Sequence, residues 1–297
     1  MDLALYSLVV MIWGTTWIAL KWQLGIVPIP LSIAYRFALA AIVLFALLAW
    51  KREVRRPPAE SVWLIAAQGL CLFSLNFVCF LNASLTVPSG LVAVVFSTST
   101  LWNALLARLV LRREIAPQVI AGGALGLSGL LLLFWPQVAG HTGNAAMLGG
   151  LAWAFAGTLC FSSGNLLSSA MQARGLKPEQ TNAWGMAFGA LLLLAFCLAS
   201  GTPFAFDPSP RYVGALLYLA VPGSVIGFTV YLTLVGRLGP ERAAYCTVLF
   251  PIVALNVSAA FEEYRWSTSA IAGLALVMLG NVLVFNRRMA RPSRQML

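Results

Sequence analysis

The chain has 297 residues, of which 60% are hydrophobic and only 9% are charged. A soluble protein of this length would carry roughly a quarter charged residues, so the composition excludes a soluble globular domain and predicts a polytopic membrane protein. The net charge is +10, but the basic residues lie in short segments between apolar spans. This placement indicates a lipid bilayer as the partner and argues against nucleic acid.

Ten apolar spans follow one another along the chain, and each is long enough to cross the hydrocarbon core as a helix. The predicted spans are residues 3–22, 30–50, 61–82, 88–110, 117–134, 146–171, 181–200, 211–234, 242–261 and 267–286. The period-2 alternation of membrane β-barrel strands is absent. The predicted fold class is therefore an all-α polytopic membrane protein, since lipid leaves backbone groups no other partners.

The chain repeats itself after about half its length. Two glycines and a phenylalanine recur with unchanged spacing in the fifth and tenth spans, as Gly122, Gly129 and Phe134 and as Gly273, Gly280 and Phe285. This predicts two five-helix halves, residues 1–140 and 141–297. Because five is an odd number, the second half enters the membrane from the opposite side. Inverted halves of this kind are typical of secondary transporters, with the site near the midplane between them.

The distribution of basic residues predicts the orientation. All 19 lysines and arginines except Lys21, Arg36, Arg211 and Arg265 lie at the connections after the even-numbered spans or in the C-terminal tail. The positive-inside rule then puts both termini in the cytoplasm. We expect a multi-pass protein of the inner (plasma) membrane. Glu114 would be cytoplasmic, whereas His141 and the pair Glu262-Glu263 would be external.

Several motifs together resemble a known family. They are Trp13-Gly14-Thr15-Thr16-Trp17 in the first span, Arg36-Phe37 in the second, and Glu114 before a glycine-rich fifth span. This pattern resembles the EamA branch of the drug/metabolite transporter superfamily, over residues 6–134 and 153–285. The resemblance implies ten helices in two inverted halves around a central cavity, with the fifth and tenth at the periphery. Within that branch it is similar to the YddG-type exporters, which implies export of aromatic amino acids and related metabolites.

Catalytic groups are scarce. The one histidine, His141, falls in a predicted loop, and no aspartate or glutamate lies in the middle of a span. An enzyme reading is disfavoured because general bases, paired carboxylates and metal ligands are lacking. We expect no cofactor and no metal site. The five cysteines all lie in apolar spans and are interpreted as packing residues. The lack of a mid-membrane acid also favours transport that is not obligately coupled to protons.

Polar but uncharged residues lie at mid-depth together with aromatic residues on shared helix faces. Each alone is readily explained as a hydrogen bond between helices, but the set predicts one amphiphilic, uncharged cavity lined by rings and amides. The predicted substrate-binding residues are Trp13, Trp17, Asn76, Phe80, Ser99, Trp102, Asn103, Ser162, Asn165, Tyr231, Tyr245 and Asn256.

Four further residues lie inside spans. Arg36 is interpreted as a structural brace between helices, with a counter-charge for a substrate carboxylate as the alternative. Pro222 and Pro251 should bend the eighth and ninth helices, either as fixed kinks or as gate hinges. Lys21 is interpreted as a charge that snorkels to the interface.

The sequence predicts an exporter or facilitator of small organic metabolites, most of all amino acids with aromatic or bulky apolar side chains, working by alternating access. A pore-like facilitator, an exporter of apolar or cationic drug-like metabolites, and a scaffold or lipid-handling protein remain open alternatives. A carrier of sugar phosphates is disfavoured, because its site would need several buried basic residues.

Overall fold

The computed structural model describes residues 2–111, 117–139, 145–238, 243 and 246–285. Every predicted span corresponds to a helix, and the ten are labelled α1 to α10 in chain order. Seven consist of one regular helix each: α1 (Asp2–Trp22), α2 (Ile29–Trp50), α5 (Pro117–Ala139), α6 (Ala145–Ala173), α7 (Pro178–Ala199), α9 (Cys246–Phe261) and α10 (Thr268–Phe285).

The other three helices are composite. α3 (Ala59–Ala83) and α8 (Pro210–Leu238) each contain an internal π-helical segment, Cys71–Leu75 and Leu219–Ile226. α4 consists of two pieces, Ser89–Ser97 and Ser99–Leu111.

The outer surface suits a lipid environment. In the described part of the chain, eight helices are long and apolar enough to cross a membrane, and α9 and α10 contain shorter apolar stretches. Large apolar side chains such as Leu131 and Leu198 are about 70% exposed on the outside of the bundle. Water would penalise this exposure, whereas hydrocarbon does not, so the all-helical, membrane-spanning fold class is confirmed.

α5 and α10 pack mainly on each other at the edge of the bundle. A Cβ atom added to Gly129 would lie 2.6 Å from the carbonyl oxygen of Gly273, and one added to Gly280 would lie 2.4 Å from that of Gly122. The backbones therefore touch, which only glycine permits. Contacts of 129 with 273 and of 122 with 280 also mean that the two helices run antiparallel, as inverted halves require.

The remaining helices pair in a pattern that is preserved when the halves are exchanged. α1 packs on α9 as α6 packs on α4, and α3 packs on α6 as α8 packs on α1. α2 packs on α7, and α4 packs on α9. α1 to α4 and α6 to α9 thus surround the centre, and α5 and α10 lie outside it.

The π-helical segments of α3 and α8 share one side-chain interaction. The Ser74 hydroxyl donates to the carbonyl of Gly69 at 3.3 Å, and the Ser224 hydroxyl donates to that of Leu219 at 2.8 Å. Both bonds reach five residues back, which matches the wider turn of a π-helix. Only the α8 segment contains a proline, Pro222, so a π-helical segment at this position does not require one.

α9 remains helical across Pro251. The interruption occurs instead at the equivalent place in α4, where Thr98 separates the two pieces. Its backbone N–H donates to the carbonyl of Val95 at 3.0 Å, and its hydroxyl donates to the same oxygen at 2.7 Å. The tightened turn leaves α4, not α9, with the break in helical geometry at this level of the bundle.

Candidate functional site

A small cavity lies at the centre of the bundle, between helices of both halves. Its volume is about 30 Å³, whereas pockets that hold small organic ligands measure roughly 300–1,000 Å³. The structure therefore represents a closed form, in which the site must widen before a metabolite fits. The lining residues are Trp13, Thr16, Trp17, Leu20, Arg36, Asn76, Phe77, Phe80, Phe96, Phe161 and Phe228.

Helical spacing explains how α1 supplies four of these residues. Trp13, Thr16, Trp17 and Leu20 follow one another at intervals of three, one and three residues, which places them on one face. Close packing on α9 fixes this face: a Cβ added to Gly14 would lie 2.6 Å from the Val253 Cβ. α1 is thereby held against α9 with its two tryptophans turned to the cavity.

The aromatic residues form two groups around these tryptophans. The Trp13 ring lies 5.1 Å from Phe228, 4.8 Å from Tyr231 and 6.0 Å from Phe161.

The Trp17 ring lies 5.3 Å from Phe80 and 5.6 Å from Phe96. Edge-to-face and tilted pairs at such distances attract each other beyond the effect of burial. The cavity wall is thus largely a cage of rings.

Arg36 brings a positive charge into the cavity. Its side chain is 2% exposed, its Nε donates to the Ser224 hydroxyl at 3.0 Å, and its guanidinium lies 4.1 Å from the centre of the Phe77 ring. The bond to Ser224 joins α2 to α8. The prediction of an uncharged cavity is wrong, because this bond leaves the guanidinium at the cavity wall.

Two polar groups at the wall lack partners. The Nη1 atom of Arg36 and both amide atoms of Asn76 are buried without a hydrogen bond. Nearly all buried polar groups in proteins are hydrogen-bonded, so unpaired ones call for an explanation such as a ligand or water. Both groups belong to the same cavity.

A second set of polar residues lies beside the rings that surround Trp13. The amide of Asn165 donates to the Tyr231 hydroxyl at 3.0 Å, and the Ser162 hydroxyl donates to the Ser99 carbonyl at 3.4 Å. Asn103 is buried with both amide atoms unpaired. Asn165 thus contacts Tyr231 and Ser162 contacts Ser99, but neither these four residues nor Asn103 are part of the cavity wall.

Three predicted residues are placed differently. Asn256 is exposed on the outside of α9, with its amide donating to the Ile252 carbonyl at 2.7 Å. α9 turns Phe250 and Ala254 inward, so the face that carries Asn256 points away from the cavity. Trp102 is half-buried and does not line the cavity, and Tyr245 lies outside the described residues.

Arg36 apart, sequence reasoning missed six lining residues: Thr16, Leu20, Phe77, Phe96, Phe161 and Phe228. Thr16 and Leu20 were open to inference, because they continue the helix face of Trp13 and Trp17. Phe77 stands next to Asn76, but nothing in the sequence distinguishes it from a core phenylalanine. Phe96 likewise belongs to an almost entirely buried stretch of α4.

One end of the bundle carries a cluster of polar bonds around Glu262, which follows α9. Its carboxylate accepts hydrogen bonds from the Ser89 backbone N–H at 3.1 Å and from the hydroxyls of Ser89 and Ser258. Lys21 lies 3.4 Å away and also donates to the Ser84 carbonyl. Lys21 is therefore an ion-pair partner of Glu262 as well as a charge at the end of its helix. We call these five residues the Glu262 cluster.

Comparison with known proteins identifies the family. The EamA-like transporter family matches residues 3–135 and again residues 148–286. The chain belongs to this family. Each match covers one five-helix half, so the chain contains two copies of the EamA-like domain, and the family is one of membrane transporters, not of enzymes.

Individual relatives match along almost their whole length. The chain is 25% identical to the "Probable amino-acid metabolite efflux pump" of Salmonella typhimurium, covering 97% of this chain and 96% of that protein. It is 27% identical to the "Uncharacterized inner membrane transporter YedA" of Escherichia coli, covering 95% and 89%. One crystal structure matches with a TM-score of 0.70 at 18% identity, covering 97% of this chain and 99% of that one, which shows the shared fold.

Proposed function

We propose that this EamA-family transporter exports amino acids with aromatic or bulky apolar side chains, by alternating access between its inverted halves. The observation that carries the proposal is the central cavity, in which a cage of rings surrounds an unpaired guanidinium nitrogen and an unpaired amide. Rings stabilise an aromatic side chain, and the two polar groups suit the charged end of an amino acid. The Salmonella typhimurium relative is named a probable amino-acid metabolite efflux pump, which supports amino acids as the substrate class.

The same cavity weighs against the other functions that the sequence left open. A buried guanidinium repels a cationic drug-like substrate, because like charges in a low-dielectric site are costly. A cavity of about 30 Å³ is also unsuited to a continuous pore, whereas it fits the closed form of a carrier. We further propose that the halves are residues 1–140 and 141–297, and that both termini face the cytoplasm of the inner membrane.

Uptake into proteoliposomes tests the proposal. Purified protein is reconstituted and offered a panel of labelled amino acids, with empty liposomes as the control. Phenylalanine, tyrosine, tryptophan and leucine should enter faster than glutamate and lysine. Equal rates across the panel, or no flux above that of empty liposomes for any amino acid, would contradict the proposed substrate class.

A further inference from the structure

We propose that Arg36 and Asn76 together form the subsite that binds the carboxylate of the substrate, and that a carboxylate is required for binding. The inference rests on the proposed transport function, since it concerns the same cavity, and it names the chemical group that the cavity selects. It reassigns Arg36 from a brace alone to a brace that also contacts substrate.

The bonding of Arg36 leaves part of its guanidinium free for a ligand. Its Nε is used by Ser224, whereas Nη1 is buried and has no acceptor. Among the described residues no carboxylate forms an ion pair with it. A brace alone would gain from saturating every donor, because a buried charge without a counter-ion is strongly disfavoured. A bound carboxylate supplies both the missing acceptor and the missing charge.

The guanidinium is also held in one orientation. It lies 4.1 Å from the centre of the Phe77 ring and 4.9 Å from that of Phe37. The Ser224 hydroxyl donates its own hydrogen to the Leu219 carbonyl at 2.8 Å, so its oxygen is left to accept from Arg36. A planar guanidinium fixed in this way presents its remaining N–H groups as a fork, which matches the two oxygens of a carboxylate.

Asn76 complements this fork. Its side chain is 1% exposed, and neither amide atom has a partner. The amide nitrogen donates to an anionic oxygen, while the amide oxygen accepts from an ammonium group. Arg36 and Asn76 thus suit the two charged groups of an α-amino acid, and a ligand without a carboxylate leaves the guanidinium unpaired.

A ligand series on the wild-type protein tests the requirement directly. Three probes share a phenyl ring and a short chain but differ in the end group: 3-phenylpropionate, 3-phenylpropanol and phenethylamine. Binding is measured on the purified protein in detergent by ligand-induced thermal stabilisation. We expect 3-phenylpropionate to bind at least about tenfold more tightly than the other two, as loss of one charge-assisted hydrogen bond predicts. Equal binding of the alcohol or the amine would overturn the inference.

Substitutions with matched controls test whether Arg36 and Asn76 bind the carboxylate. Arg36→Lys keeps the charge but loses the fork, and Asn76→Ala removes the amide. The controls are Arg211→Lys at the surface and Asn82→Ala, whose amide donates within α3 to the Val78 carbonyl.

We expect 3-phenylpropionate to bind about 10- to 100-fold more weakly to Arg36→Lys and about two- to tenfold more weakly to Asn76→Ala. Unchanged binding to both well-folded variants would contradict the assignment. Should Arg36→Lys not fold, Asn76→Ala and the wild-type ligand series decide between the outcomes.

A flux measurement separates this inference from the proposed function. Phenylalanine and phenylalaninamide, which lacks the carboxylate, compete for uptake of labelled phenylalanine into proteoliposomes. Transport of phenylalanine with equal competition by the amide would refute the subsite while leaving amino-acid export intact. Arg36-dependent binding of 3-phenylpropionate without transport of any amino acid would refute export of amino acids and leave the carboxylate subsite standing.

Discussion

Trp13 and Trp17 each contact several rings at the cavity, and the rings around Trp17 can be tested by substitution of Phe80. Phe80 packs edge-on against Trp17 at 5.3 Å and against Phe96 at 5.2 Å, and its side chain lines the cavity. Leucine has a similar volume but no ring, so its substitution at this position removes aromatic contacts with little loss of packing.

Phe80→Leu should therefore lower the affinity for phenylalanine by about two- to tenfold, the effect of losing one aromatic pair, and leave that for alanine almost unchanged. Concentration-dependent uptake into proteoliposomes measures both. Phe196→Leu, at an exposed position of α7, is the control for a general effect of the substitution. A parallel loss for the two amino acids would mean that Phe80 supports the fold and does not contact substrate.

Individual residues of the site were only partly predictable. Four predicted residues line the cavity: Trp13, Trp17, Asn76 and Phe80. They could be predicted because aromatic and amide residues recur at helical spacing on α1 and α3. Asn256 has the same pattern of neighbours, yet it faces outward. In a membrane protein both sides of a helix are apolar, so hydrophobic periodicity does not tell the lipid face from the core.

α4 and α9 pack closely at the end that contains the Glu262 cluster. A Cβ added to Gly90 would lie 2.9 Å from the Leu255 Cα, so the N-terminus of α4 touches α9. The Glu262 carboxylate accepts from the first N–H of α4, where a negative charge also interacts favourably with the helix dipole. With Lys21, which follows Leu20 of the cavity wall, the cluster ties α1, α4 and α9 together at one end of the bundle.

Glu262→Gln should make this end of the bundle easier to open, since it removes the ion pair and the charge-assisted hydrogen bonds. Labelling of a cysteine introduced at position 20, on the cavity wall, reports the opening in a variant without the native cysteines. We expect the labelling rate from the predicted external side to rise at least about tenfold. The neighbouring Glu263→Gln is the matched control and should leave the rate unchanged. Equal rates in both variants would show that the cluster does not hold the cavity closed.

The helices themselves were predictable and their irregularities were not. Apolar length alone located all ten spans, because a lipid-exposed backbone must satisfy its own hydrogen bonds. The π-helical segment Cys71–Leu75 has no proline and no glycine to indicate it. The Ser74 hydroxyl within this segment is in hydrogen-bonding distance of the carbonyls of Gly69 and Gly189, and the second of these contacts exists only after α3 has packed on α7.

The whole molecule consists of two halves that cross the membrane in opposite directions. The antiparallel glycine contact between α5 and α10 is the most direct evidence for this arrangement. The repeat was predictable from the glycine spacing, whereas the orientation in the membrane is predicted from the distribution of basic residues alone. Single cysteines at positions 59 and 265, both exposed, should label from the cytoplasmic and the external side respectively in a cysteine-free variant. Labelling of both from the same side would contradict the predicted topology.

The lack of mid-membrane acids leads to a prediction for energetics. No aspartate or glutamate lies in the middle of a span, so the chain offers no carboxylate to carry a proton through the membrane. Collapse of an imposed pH gradient should therefore leave the initial rate of downhill phenylalanine uptake nearly unchanged. Accumulation of phenylalanine against its gradient, driven by the pH gradient alone, would refute the prediction.

Counterflow tests the central claim, that a closed aromatic cavity between inverted halves carries amino acids by alternating access. Proteoliposomes are loaded with excess unlabelled phenylalanine and placed in a trace of labelled phenylalanine, with unloaded proteoliposomes as the control. A carrier returns to the outside faster with substrate bound, so internal phenylalanine should accelerate entry of the label and accumulate it transiently. Entry that is equally fast with and without internal phenylalanine would indicate a pore and contradict the account.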